Sequence, residues 1–120
     1  MHLTILSVDN DGETHFTDAD IAVVEQPFAP PAPPLAISEP IAAARALFFR
    51  IPAGWFGDWH PAPRRQYYVQ TTGELEVQVS DGELRRFHPG DVVLVEDVTG
   101  RGHTTRVVGD EDVCGVYVQL

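Results

Sequence analysis

The chain has 120 residues and a formal charge of −10, with eight arginines, 18 acidic residues and no lysine. At roughly 100–200 residues per domain it is one small domain. Its acidity argues against nucleic-acid binding, because phosphate would be repelled. The missing lysine excludes a P-loop and Schiff-base chemistry. The single cysteine, Cys114, excludes an intramolecular disulfide and a multi-cysteine zinc site. No apolar run approaches the roughly 18 residues of a membrane helix. The N-terminus lacks the basic and apolar regions of a secretory signal, so the expected location is the cytoplasm.

In chain order, Leu3-Thr4-Ile5-Leu6-Ser7-Val8 reads as a strand and Asp9-Asn10-Asp11-Gly12 as a turn. Asp9, Asp11 and Glu13 do not complete a calcium loop, because its glycine and distal glutamate are misplaced. Ile21-Ala22-Val23-Val24 is a second strand candidate. Residues 27–34 hold five of the ten prolines, so they are expected to be extended, as an arm or connector. Residues 38–46 contain the one expected helical turn, with Ser38 as its cap.

From residue 47 the pattern is strands. Leu47–Ile51 and Gln66–Gln70 precede Glu74–Val79, whose strict alternation implies one buried and one wet face. Ser80-Asp81-Gly82 turns into Leu84–Phe87 as a hairpin. Val92–Val95 is a continuous apolar run, expected to be buried on both faces. His103–Val108 and Val113–Val118 complete the series. Many short strands with Gly/Pro turns indicate an all-β, antiparallel sandwich or barrel. Residues 1–46 are expected to pack as N-terminal strands and a Pro-rich arm on a barrel of residues 47–120.

Gly54, His60, Gln66, Gly73, Pro89-Gly90-Asp91 and Gly100-Arg101-Gly102-His103 together resemble the two motifs of the cupin family. The resemblance implies a cupin-like antiparallel jelly-roll barrel and a homodimer. A full cupin motif set gives three histidines and a glutamate to one divalent metal. By resemblance, the ligands here are His60, Gln66 and His103, and the metal is iron, nickel, manganese, copper or zinc. Ala62 stands at the middle histidine position, and neutral Gln66 at that of the glutamate. The reduced set lacks charge for a 2+ ion unless Asp58, Glu96 or Asp97 supplies it.

Tyr68 and Gln70 follow Gln66 at period two and share its face in a strand. Glu96 and Tyr68 are the candidate acid–base residues, with Asp97 an alternative to Glu96. Trp59, Arg64 and Gln70 are the candidate ligand contacts. Trp59 belongs with Trp55 and Phe56 to an aromatic stretch whose readings are core packing, a dimer contact or an aromatic pocket wall. One of Arg64 and Arg65 is placed to grip a carboxylate and the other to pair with a local acid. No serine sits in a nucleophile motif, and Cys114 lies in an apolar strand. Three functions remain open for this small-molecule pocket. They are a metal-dependent oxygenase or isomerase, a metal-free isomerase or cyclase, and a non-catalytic binding protein.

Overall fold

A computed structural model describes all residues 1–120. Twelve strands run in chain order. They are β1 (His2–Val8), β2 (Thr14–Asp20), β3 (Val24–Gln26), β4 (Leu35–Ile37), β5 (Arg45–Ile51) and β6 (Phe56–His60). The second half contributes β7 (Gln66–Thr72), β8 (Glu74–Val79), β9 (Leu84–Phe87), β10 (Val92–Val95), β11 (His103–Val108) and β12 (Val113–Gln119). No helix is present, and so none is long and apolar enough to cross a membrane.

Two sheets face each other. The larger has the order β2-β1-β10-β7-β12-β5 and the smaller β6-β11-β8-β9. All pairings are antiparallel except β1 with β10. This is the all-β barrel architecture that the strand pattern implies.

The core lies between the sheets, where alternate residues converge. Leu6, Phe16, Val93 and Val95 enter from the large sheet, and Leu75, Val77, Val79 and Phe87 from the small one. The alternation of β8 is realised in full, with Leu75, Val77 and Val79 buried and the residues between them half-exposed. In β10, Val93 and Val95 face the core while Leu94 is buried on the outer face.

Two local expectations differ from the structure. The second strand is Thr14–Asp20 rather than residues 21–24. It has few apolar side chains, but the turn at Asp9–Gly12 pairs it along all of β1, and Phe16 supplies its core contact. No helical turn forms at residues 38–46. Ser38 Oγ donates to the carbonyl of its neighbour Glu39, and the chain runs on into β5 from Arg45. Two residues past Ser38, Pro40 has no amide hydrogen to donate and holds Glu39 away from helical geometry.

Residues 27–34 form the tip of a hairpin made by β3 and β4. These two strands pair with each other and with no other strand. Residues 22–36 and 39–48 are all exposed. The radius of gyration is 15.6 Å. A compact chain of this length has about 13.6 Å. The excess reflects the projecting arm.

Candidate functional site

Between the sheets lies a partly enclosed cavity of about 110 Å³. Leu6, Leu75, Val77, Phe87, Val93 and Val95 form its apolar walls, and Tyr68, Tyr117 and Trp55 its aromatic side. His60, Gln66, His103 and Thr105 supply polar groups. No arginine, aspartate or glutamate lines it.

His60 ends β6 and His103 begins β11, and the two are direct cross-strand partners. Their ring centroids are 4.6 Å apart. Gly102 makes this approach possible. It has φ of 72°, and a Cβ there would overlap the His60 carbonyl. Only glycine allows both the left-handed backbone and the close contact.

Each imidazole is held by its Nδ1. His60 Nδ1–H donates to the Asp58 carbonyl oxygen at 2.6 Å. His103 Nδ1–H donates to Asp97 Oδ2 at 2.6 Å. Carbonyl and carboxylate oxygens only accept, so Nδ1 carries the proton in both contacts. In the neutral rings the Nε2 lone pairs are therefore free. Asp97 is 0% exposed, and its Oδ1 has no hydrogen-bond partner. His103 is thus the one group its carboxylate bonds. The Asp97 carbonyl accepts from the Ala62 amide at 2.9 Å, tying the loop before β11 to the chain leaving β6.

Gln66 is buried, and its Oε1 accepts from Gln119 Nε2 at 3.0 Å. This leaves the Gln66 amide hydrogens for the cavity. Tyr68 lines the cavity with its ring, but its hydroxyl donates to Gln70 Oε1 at 2.7 Å. Burial, with help from Tyr117 and Asp91, pushes the Tyr68 phenol far above its ordinary range. It stays protonated. Gln70 is 1% exposed, and its amide donates to the Gly73 and Phe87 carbonyls at 2.7 and 3.0 Å. It braces β7 rather than facing a ligand.

The cavity thus brings together His60, Gln66, Tyr68 and His103, and leaves Glu96, Trp59, Arg64 and Gln70 outside it. Glu96 pairs with Arg65, Nε to Oε1 at 2.9 Å, which realises the local acid pair foreseen for one of the two arginines. Arg64 is exposed. Trp59 lies in a shallow groove with Ser80 and Arg101, and its neighbour Trp55 takes the place on the cavity wall.

Two contributors are not marked by the sequence as site residues. The Tyr117 ring lies tilted 4.5 Å from that of Phe49 and 5.7 Å from that of Tyr68. Gln119 orients Gln66. Their period-two spacing in β12 puts both on one face, but nothing local marks that face as inward. Trp55, in the aromatic stretch read as a pocket wall, does line the cavity.

No protein-family model and no curated protein matches the chain. Among solved structures, the Schizosaccharomyces pombe Cnp3 cupin domain is similar, with a TM-score of 0.52 and 16% identity. The match covers 98% of this chain and 81% of that one. The protein has the small cupin fold, and at this identity the likeness speaks for the fold alone.

The donor set does not fit a resident divalent metal. Ala62, at the middle histidine position, is a buried core residue. The Gln66 oxygen is taken by Gln119, and the Asp97 carboxylate is turned to His103. Two imidazole nitrogens remain, and no cluster of three His, Cys, Asp or Glu side chains converges. Two neutral donors leave most of the charge of a 2+ ion uncompensated.

Proposed function

We propose that the cavity binds a small, neutral, largely apolar organic molecule and moves a proton on it without a resident metal. The observation that carries this reading is the pair of Nδ1-anchored imidazoles at the polar end of an apolar cavity. The size and the lining set the ligand class. An apolar cavity of roughly 150 Å³ holds benzene, so this one suits a ligand of about six non-hydrogen atoms. With no charged side chain on the wall, an anion would lose its hydration without a counter-charge.

The chemistry follows from where donors and acceptors stand. His103 Nε2 takes a proton from a carbon next to a carbonyl, and the electron pair moves onto the carbonyl oxygen. The Gln66 amide donates to that oxygen as its charge develops. Asp97 steadies the imidazolium formed on His103, the role of an orienting carboxylate behind a histidine base. In a hydroxyketone, return of a proton from His103 to the former carbonyl carbon, with the hydroxyl proton passing to the carbonyl oxygen, completes an isomerisation in which atoms and charge balance, and exchange of the His103 proton with solvent before its return labels the product. His60 Nε2 accepts a ligand hydroxyl and fixes the orientation.

A ligand screen tests this reading. Small neutral ketones and hydroxyketones raise the melting temperature, and carboxylates of the same size do not. For a binding ligand, incubation in D2O introduces deuterium next to the carbonyl, read by proton NMR. His103→Ala abolishes the exchange while the chain stays folded. Exchange that survives in His103→Ala, or a preference for carboxylates, overturns the proposal.

A further inference from the structure

We propose that Thr14 is a positioning residue for His103, acting through the Gly102 carbonyl; the inference rests on the proton transfer proposed above. Thr14 opens β2, an edge strand of the large sheet, and is 0% exposed. It does not line the cavity. Its amide donates to Ser80 Oγ at 2.7 Å, and its carbonyl accepts from the Asp81 amide at 3.3 Å. Its hydroxyl oxygen accepts from the Ser80 amide at 2.8 Å. The hydroxyl proton is left, and it is donated to the Gly102 carbonyl at 2.6 Å.

That carbonyl lies where the chain most needs a hold. Residues 100–102 include two glycines at positive φ, Gly100 at 79° and Gly102 at 72°. Such a segment has wide backbone freedom and few side chains to pack. The turn between β1 and β2 fixes it at three points. The Arg101 amide donates to the Gly12 carbonyl at 2.9 Å, and the Arg101 guanidinium pairs with Glu13 Oε1 at 3.1 Å. The third point is the bond from Thr14, and it is buried. Out of water such a bond is stronger, and it sits directly before His103.

The Gly102 carbonyl and the His103 amide belong to one planar peptide unit. Holding the carbonyl therefore fixes the plane from which His103 departs at the start of β11. Asp97 then sets the ring about its own torsions. The two anchors act in series, Thr14 on the backbone and Asp97 on the imidazole. Gly102 also rests against the His60 carbonyl, so the spacing of the two rings depends on the same hold.

The test compares Thr14→Val, Thr14→Ser and Ser80→Ala in the full chain. Valine keeps the shape of threonine and removes the hydroxyl, and serine keeps the hydroxyl and removes the methyl. Ser80→Ala cuts the links to the Thr14 amide and to Glu13 but leaves the Gly102 bond. Three quantities are read. They are the ring nitrogen-15 and proton shifts of His103, the nuclear Overhauser contact between His60 and His103, and deuterium exchange on a bound hydroxyketone. In Thr14→Val the His103 signals shift, the contact weakens and exchange falls about tenfold to a hundredfold, while ligand affinity changes little. Thr14→Ser restores all three. Ser80→Ala lowers the urea midpoint and leaves them at wild-type values. Wild-type values in a folded Thr14→Val overturn the proposal. A Thr14→Ser as disturbed as Thr14→Val, or a Ser80→Ala that moves the rings equally, overturns it too. Should Thr14→Val fail to fold, Thr14→Cys, whose thiol is a weak donor, decides in its place by the same readouts. Absence of exchange in the wild type overturns the proposed chemistry instead, and the ring signals then decide the role of Thr14 on their own.

Discussion

His60 and His103 face each other across β6 and β11 with ring centroids 4.6 Å apart, yet their Nδ1 atoms are held by different partners. One rests on a backbone carbonyl and the other on a buried carboxylate. A carboxylate is a stronger, charge-assisted acceptor than a carbonyl, so the two imidazoles are not held equivalently. In the proposed chemistry His103 is the base, and His60 the orienting acceptor.

Replacing Asp97 by asparagine separates these roles. The asparagine keeps the volume but removes the negative charge, and its amide favours the other tautomer of His103. Proton exchange on a bound ligand falls about 10²–10⁴-fold while ligand affinity changes little. Proton NMR in D2O and calorimetric titration measure the two quantities. An unchanged exchange rate contradicts the assigned role.

Gln66 and Gln70 sit two residues apart and respond in opposite ways. Gln70→Leu leaves the Tyr68 hydroxyl and two carbonyls without their partner, and lowers stability by about 2–4 kcal/mol. Gln66→Leu loses one bond to Gln119 and costs about 1 kcal/mol, but removes the cavity's amide donor. Urea denaturation gives the first comparison and ligand-induced thermal shift the second. Equal stability losses would show that Gln70 is not the brace described.

At Gly102 a methyl group is expected to act at a distance from any ligand. Gly102→Ala forces a left-handed alanine against the His60 carbonyl. The strain and the clash together cost about 2 kcal/mol or more and part the two rings. A lower urea midpoint, with loss of the nuclear Overhauser contact between the histidines, is the expected pair of results. A fully stable variant with that contact intact contradicts it.

His15 joins two turns of the barrel. Its Nδ1 lies 2.8 Å from Asp81 Oδ2 and its Nε2 2.8 Å from Asp9 Oδ2. The hydrogen bonds to Asp9, first, and Asp81 raise the His15 pKa. The Asp9 carboxyl is lowered chiefly by His15, and that of Asp81 by the Glu83 amide and then His15. The raised histidine contributes stability that is full below about pH 6.5 and lost as pH climbs through its folded value. The lowered aspartates contribute stability that is full above about pH 3.9 and lost as pH falls through theirs. The difference in melting temperature between wild type and His15→Ala is therefore largest near about pH 5 and shrinks on both sides. A difference that does not vary with pH contradicts the linkage.

Strand positions and the barrel class were legible because β7, β8, β10, β11 and β12 carry strong period-two or continuous apolar patterns. β2 was not legible, since six of its seven positions carry polar residues or alanine and its pairing is imposed by β1. The two cavity histidines were legible from the glycine, proline and histidine spacings around them. What each nitrogen bonds was not, because Asp97 and Asp58 act through distances that only folding fixes. Glu96 and Asp97 are chemically equal in sequence. A one-residue step puts Asp97 in the interior and Glu96 on the rim beside Arg65.

The measurement that bears most directly on the central claim is the tautomeric state of the two cavity histidines, read from two-bond nitrogen–proton correlations of nitrogen-15-labelled protein. The neutral rings of His60 and His103 are both expected to carry the proton on Nδ1 and to leave Nε2 bare. Asp97→Asn is expected to change His103 alone. A proton on Nε2 of His103 in the wild type would remove the base from the cavity and contradict the proposed chemistry.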